Sequence, residues 1–161
     1  MIRRAANDDA EAIARIYNHY IENTIITFEE TPVTASEMQQ RMGLPDNQLP
    51  WLVVEEGGDL LGYAYASPWK PRAAYRHSVE CSVYLDQHAT GRGFGRQLYQ
   101  TLLETLREQG IHAVIGGIAL PNEASVGLHE SLGFEKVAHF REVGRKFDRW
   151  IDVGYWQLML T

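Results

Sequence analysis

The chain of 161 residues is 45% hydrophobic and 22% charged, a composition typical of one folded globular domain, which we expect to span residues 1–161. A formal net charge of −6 argues against nucleic acid as a partner, because phosphates repel an acidic surface. The first ten residues are polar with no apolar run behind them, and the single cysteine excludes an internal disulfide, so we expect a cytoplasmic protein without a membrane span.

The hydrophobic periodicity predicts strands and helices in an irregular alternation rather than a strict strand–helix repeat. The expected fold class is therefore α+β with a mixed sheet. In chain order the predicted elements are a strand at 2–5, a helix with Ile13 to Ile21 along one face, a helix at 36–42, strands at 51–56, 60–66 and 79–85, a helix at 94–109, a strand at 113–120, a helix at 122–132, and strands near 136–143 and 151–160.

A glycine-rich loop precedes the helix predicted at 94–109. Its sequence at 91–96, Gly-Arg-Gly-Phe-Gly-Arg, combines glycines that let the backbone approach a ligand with arginines that attract negative charge. The loop lacks the Gly-Lys-Ser/Thr ending of a P-loop, and Arg96 takes the place of the third glycine of a dinucleotide-binding fingerprint. We interpret it as a pyrophosphate-binding loop, and the alternative is a glycine-rich connection without a ligand.

Glu80 lies in a predicted strand whose opposite face, with Val79, Cys81 and Val83, is apolar. A carboxylate at that place is either exposed to water or a general base whose pKa is raised by partial burial. Cys81 alternates with Val79 and Val83 along the strand and therefore points to the apolar face. We expect it in the core and not as a nucleophile.

The helix predicted at 122–132 brings Asn122, Ser125 and His129 to one face, at spacings of three and four residues. Asn122 is also a suitable N-cap, and a lone histidine on such a face is more often structural than catalytic. The six histidines and one cysteine show no spacing typical of a metal site, so we expect no metal.

Together these residues resemble the GNAT acetyltransferases, and within them the phosphinothricin and methionine sulfoximine group. The resemblance covers nearly the whole chain, through the segments 2–5, 18–22, 50–53, 64–66, 68–70, 74–75, 79–80, 82–84, 120–122, 128–130, 150, 152–154 and 156–158. It implies a twisted mixed sheet of about seven strands flanked by about four helices. It also implies acetyl-CoA as co-substrate, a small amino-acid acceptor and a homodimer.

The resemblance assigns roles to individual residues. Glu80 is the expected general base, and His129 is a second base or the proton donor to the CoA thiolate. The expected acetyl-CoA contacts are Val83, Tyr84, Leu85, Gly91, Arg92, Gly93, Phe94, Gly95, Arg96, Asn122 and Ser125. The expected acceptor contacts are Phe28, Tyr65, Lys70, Arg72 and Tyr75, whose two basic members suit a carboxylate or phosphinate.

Two positions depart from the common GNAT pattern. Thr90 stands where the loop usually begins with arginine or glutamine, which predicts weaker acetyl-CoA binding unless Arg92 and Arg96 compensate. His129 stands where many GNAT enzymes carry a tyrosine, and the phosphinothricin group shares this histidine.

Two other functions stay open. The same chemistry on a polyamine, an aminoglycoside or a protein N-terminus is the first, although the basic segment with Lys70 and Arg72 argues against cationic acceptors. The second is a GNAT-like module that binds acetyl-CoA without turnover, against which the joint presence of Glu80 and His129 argues.

Overall fold

The computed structural model describes all residues from 1 to 161 and contains one seven-stranded mixed sheet. The strands are β1 (Ile2–Arg4), β2 (Trp51–Glu56), β3 (Asp59–Pro68), β4 (Ser78–Leu85), β5 (Ala113–Leu120), β6 (Glu135–Lys146) and β7 (Arg149–Met159). The helices are α1 (Ala10–Asn23), α2 (Ala35–Met42), α3 (Phe94–Glu108) and α4 (Glu123–Ser131). None of these helices has the length and apolarity that a membrane span requires. The predicted fold class and element order are confirmed.

The strand order in the sheet is β1-β2-β3-β4-β5-β7-β6. Neighbouring strands run antiparallel, except for β4 and β5, which are parallel. The helix α3 makes the long return that a parallel pair requires. The parallel pair lies at the centre of the sheet, between two antiparallel halves.

Helices cover both faces of the sheet and create two apolar cores. The α3 face buries Leu98, Leu102 and Leu106 completely, as the spacing of three to four residues predicts. On the opposite face α1 and α2 form the second core. Adjacent residues of β2, Val53 and Val54, are each fully buried in a different core, because successive strand side chains point to opposite faces.

The C-terminal strands differ most from the sequence prediction. The sequence predicts that this strand ends near residue 143, but β6 continues to Lys146. A bulge between Phe140 and Gly144 breaks the alternation on which the prediction rests, and the strand then resumes. Phe147 and Asp148, with φ angles of 52° and 58°, form the tight turn into β7.

Candidate active site

The two central strands separate along their length and open a cleft in the sheet. β4 and β5 pair only where Ser78–Glu80 lies beside Ala113–Ile115, and no pairing joins them beyond that point. A cleft of about 290 Å³ follows, lined on one side by Val83, Tyr84 and Leu85. Unpaired strand backbone facing a cleft can bind an extended polar ligand, because its amide and carbonyl groups lack a partner strand.

The glycine loop closes the outer end of this cleft. Gly93 adopts a left-handed conformation with φ of 84° and caps α3, which begins at Phe94. No protein group accepts a hydrogen bond from the backbone amides of residues 91–96. Free amides at a helix start, aligned with the helix dipole, form a favourable site for phosphate. The loop therefore fits the pyrophosphate of a nucleotide-like ligand.

The two arginines of the loop sit at its rim. Arg92 lies 2.7 Å from Glu56 Oε1 and its guanidinium stacks over the Phe94 ring, while Arg96 donates to Ser131 Oγ at 2.7 Å. Exposed contacts of this kind are worth no more than about 1 kcal/mol, so a bound phosphate can compete for either arginine. The Phe94 side chain is buried, so only its amide is available to a ligand.

A second cavity of about 710 Å³ lies beside the cleft and is mainly apolar. Glu80 is the only carboxylate in its wall, and Lys70 is the only basic side chain. The cavity and the cleft have common walls in Ile26, Ser82, Tyr84 and Gly117. The two spaces therefore meet, and a group bound in one can reach a group bound in the other.

Glu80 is close to this junction. A Cβ atom on Gly117 would lie 3.2 Å from Glu80 Oε2, so the carboxylate rests directly against a residue that both spaces share. Burial raises the pKa of the Glu80 carboxyl, and the positive charge of Lys70 offsets part of that rise. A half-buried carboxylate of raised pKa is a stronger base than an exposed one, which suits proton abstraction from an amine.

His129 is buried beside the cleft, and both of its ring nitrogens are hydrogen-bonded. Nδ1 lies 2.8 Å from the Ser125 carbonyl oxygen, which only accepts, so Nδ1 carries the proton. Nε2 then accepts from the Tyr99 hydroxyl at 2.7 Å. Burial lowers the pKa of His129, which favours the neutral ring that these two hydrogen bonds require.

Two adjacent glycines of β5 separate Glu80 from His129. A Cβ on Gly116 would lie 2.6 Å from His129 Nε2, whereas a Cβ on Gly117 would meet Glu80. Successive residues of a strand face opposite sides of the sheet, so the two candidate catalytic groups approach the opening from opposite faces. They share no hydrogen bond with each other.

Several of the residues expected to bind acetyl-CoA do line the cleft, as do Thr90 and Tyr99. The expected ones are Val83, Tyr84, Leu85, Gly91, Gly95, Asn122 and Ser125. Asn122 also caps α4, because its Oδ1 accepts from the Ser125 amide at 3.1 Å. Cys81 is buried in the core and burial raises the pKa of its thiol, as expected for a residue that is not a nucleophile.

The expected acceptor residues divide into two groups. Phe28 and Lys70 line the large cavity. Tyr65 instead lines a separate cavity of about 320 Å³, where its ring stacks on Trp51 with centroids 4.1 Å apart. Arg72 and Tyr75 lie exposed in the connection between β3 and β4 and do not line the large cavity.

Of the four residues that line both spaces, only Tyr84 was among the site residues predicted from the sequence. Ser82 and Gly117 line both, Tyr155 lies beside Gly117 as Glu80 does, and Tyr99 pairs with His129. The signal for one of them was present. Gly116 and Gly117 interrupt an otherwise apolar strand, and glycine inside a strand often marks a close approach of another group.

The profile of the acetyltransferase (GNAT) domain matches residues 2–154. The phosphinothricin N-acetyltransferase of Streptomyces viridochromogenes is 41% identical over 156 residues, which cover 97% of this chain and 85% of that protein. The L-methionine sulfoximine/L-methionine sulfone acetyltransferase of Pseudomonas paraeruginosa is 40% identical over 161 residues, covering 99% of this chain and 94% of that protein.

Solved structures are similar along the whole fold. A GNAT phosphinothricin acetyltransferase from Sinorhizobium meliloti in complex with acetyl-CoA superimposes with a TM-score of 0.95, at 35% identity, over 99% of this chain and 87% of the other. A ribosomal-protein-alanine N-acetyltransferase from Brucella melitensis superimposes with a TM-score of 0.96, at 39% identity, over 99% of both chains.

Proposed function

This chain belongs to the GNAT family of acetyltransferases, and on that premise we propose that it acetylates the α-amino group of a small amino acid such as methionine sulfoximine or phosphinothricin. Acetyl-CoA supplies the acetyl group as a thioester. The observation that carries the proposal is Glu80, the only carboxylate of the large cavity, at the point where that cavity meets the cleft.

The cleft fits acetyl-CoA. The free amides of residues 91–96 suit the pyrophosphate, and the unpaired edge of β4 at Val83–Leu85 suits the amides of the pantetheine arm. Gly95 keeps this part of the cleft open, since a Cβ there would already touch Leu128, Leu85 and Val83 at 3.6 to 4.0 Å and a longer side chain would fill the space. The backbone groups beside Ser82 and Val83 are the candidates to stabilise negative charge on the acetyl oxygen.

The acceptor amine is mostly protonated at neutral pH and cannot attack a thioester until it loses a proton. Glu80 takes that proton, directly or through water, and the amine nitrogen attacks the acetyl carbon held at the junction of cavity and cleft. The carbon–sulfur bond then breaks. CoA leaves as the thiolate, which takes its proton from water. His129 is the candidate second base or proton donor, a role in which its Nε2 must first be released from the Tyr99 hydroxyl. No acyl-enzyme is required, which agrees with the buried Cys81.

The shape and charge of the large cavity favour a small zwitterionic acceptor. Lys70 is its one cation and suits a carboxylate or phosphinate, and its remaining wall is mainly apolar. A polyamine or aminoglycoside would place further positive charge beside Lys70. Arg72 and Tyr75 remain candidate acceptor contacts at the exposed β3–β4 connection.

The test is a thiol-release assay with acetyl-CoA and a panel of amines. We expect kcat/KM for methionine sulfoximine or phosphinothricin to exceed that for lysine, spermidine, kanamycin and an alanine-starting peptide at least about 10²-fold. Comparable turnover of spermidine or of the peptide would transfer the assignment to that acceptor. If acetyl-CoA stabilises the protein against melting but no amine is consumed, the chain is a binding module.

We expect a homodimer, formed through the β6 edge of the sheet. On β6, the turn that follows it and the start of β7, five apolar side chains are each more than half exposed, which is unfavourable in water at the edge of a sheet: Val137, Phe140, Val143, Phe147 and Trp150. Light scattering should give twice the 18.3 kDa chain mass, and Trp150→Glu should reduce it. A wild-type protein that is monomeric at micromolar concentration would contradict the dimer.

A further inference from the structure

The connection between α1 and α2 forms one side of the large cavity. This roof segment, residues 24–34, has no regular secondary structure, and its residues Ile26, Thr27 and Phe28 line the cavity. A segment without a hydrogen-bond ladder of its own can hold a fixed shape only through side-chain anchors. The size of the acceptor that the cavity admits therefore depends on those anchors.

Side chains of α1 and α2 anchor the two residues that flank Phe28, Thr27 and Glu29. The Tyr17 hydroxyl lies 2.8 Å from Thr27 Oγ1. Arg41 forms a bidentate pair with Glu29, with distances of 2.7 and 2.8 Å, which fixes the segment at the residue directly after Phe28. The backbone around Phe28 is thus held from both ends.

β6 supplies the third anchor, and the Phe28 ring packs directly against this strand. Lys146 is 3% exposed, and its Nζ donates to the Thr27 carbonyl oxygen at 2.8 Å. Two residues earlier on the same face, a Cβ on Gly144 would lie 2.3 and 2.5 Å from ring carbons of Phe28. Real Cβ atoms do not approach other atoms so closely, so the ring occupies the space that any side chain at 144 would need.

Close approach is the one visible reason for glycine at this position. Unlike seven other glycines of the chain, Gly144 does not have a positive φ, so its backbone conformation is open to any residue. We propose that Gly144 is a specificity-determining position, which sets the size of acceptor that the cavity admits by seating the Phe28 ring; this rests on the proposed acetyl transfer to small amino acids.

The test is a double-mutant cycle of Gly144→Ala and Phe28→Ala, assayed with methionine sulfoximine and with phenylalanine as a bulkier acceptor. Gly144→Ala displaces the ring and should raise KM for methionine sulfoximine about ten-fold with little change in kcat. Phe28→Ala enlarges the cavity and should raise the kcat/KM ratio of phenylalanine to methionine sulfoximine about ten-fold or more. In the Phe28→Ala background, Gly144→Ala should have no further effect, because the clash is gone.

The matched control is Gly127→Ala, at an exposed helical glycine with open space around its Cβ position, and it should leave both constants unchanged. The proposal would be overturned if Gly144→Ala kept the wild-type KM for methionine sulfoximine. It would also be overturned if Gly144→Ala raised that KM equally in the wild type and in the Phe28→Ala variant. Failure of the proposed function is a different result: the wild type would then acetylate neither amino acid. Acetyl-CoA should shift the melting temperature of all four proteins of the cycle equally, which separates a change in the acceptor cavity from a general loss of structure.

Discussion

Glu80→Gln should lower kcat/KM near neutral pH about 10²–10⁴-fold, the usual contribution of a general base. Glutamine keeps the size of the side chain, so the cavity and the contact with Gly117 persist while the titratable group is lost. The fold and acetyl-CoA binding should therefore remain. Steady-state kinetics with methionine sulfoximine, together with an acetyl-CoA melting shift for the variant, measure both sides of this expectation.

The pH dependence gives the sharper test of the same substitution. Glu80 accepts a proton only when ionised, and burial raises its pKa, so wild-type activity should fall as the pH falls through a value above the ordinary carboxyl pKa. The variant lacks that acid limb. Its deficit should shrink as the pH rises, because the free amine becomes abundant without help from a base.

Lys70→Met provides the complementary variant. The Lys70 charge lowers the pKa of Glu80, so its removal should move the acid limb of kcat to higher pH.

A different pattern for Glu80→Gln, with raised KM, unchanged kcat and a loss that persists at high pH, would make Glu80 an acceptor anchor. The base would then be another group, such as a water held in the cavity.

Gly95→Leu should abolish acetyl-CoA binding while the unliganded protein stays folded. The site accepts a Cβ at ordinary contact distances of 3.6 to 4.0 Å, and leucine favours a helix more than glycine does, but its outer carbons would fill the cleft. Acetyl-CoA at about one hundred times Kd should stabilise the wild type by about 2.7 kcal/mol, a melting shift of about 5–10 °C. The variant should show no shift.

The control for this variant is Gln100→Leu, on the exposed face of the same helix, which should retain the full shift. Gly93 is a poorer choice, because its φ of 84° means that any side chain strains the loop itself, and a loss of binding would have two explanations. A full acetyl-CoA shift in Gly95→Leu would remove the cleft from the binding site and leave the free amides of the loop without a ligand.

The amino-acid sequence by itself determined the local features of this protein. Strand parity assigned Cys81 to the core and Glu80 to the opposite face, and the spacing of glycines predicted the loop with free amides at the start of α3. These features depend on the two-residue repeat of a strand and on the backbone freedom of glycine. Both are properties of a few consecutive residues, so they are readable without the fold.

Only the tertiary structure decided how the local features meet. Glu80 and His129 lie on opposite faces of β5, and Tyr99 holds His129 across 30 residues of sequence. Lys146 binds the Thr27 carbonyl although 119 residues separate them, and the bulge in β6 that precedes Lys146 follows from the pairing with β7. No short-range periodicity encodes such contacts, because they form when distant segments pack together and each gains its position from the other.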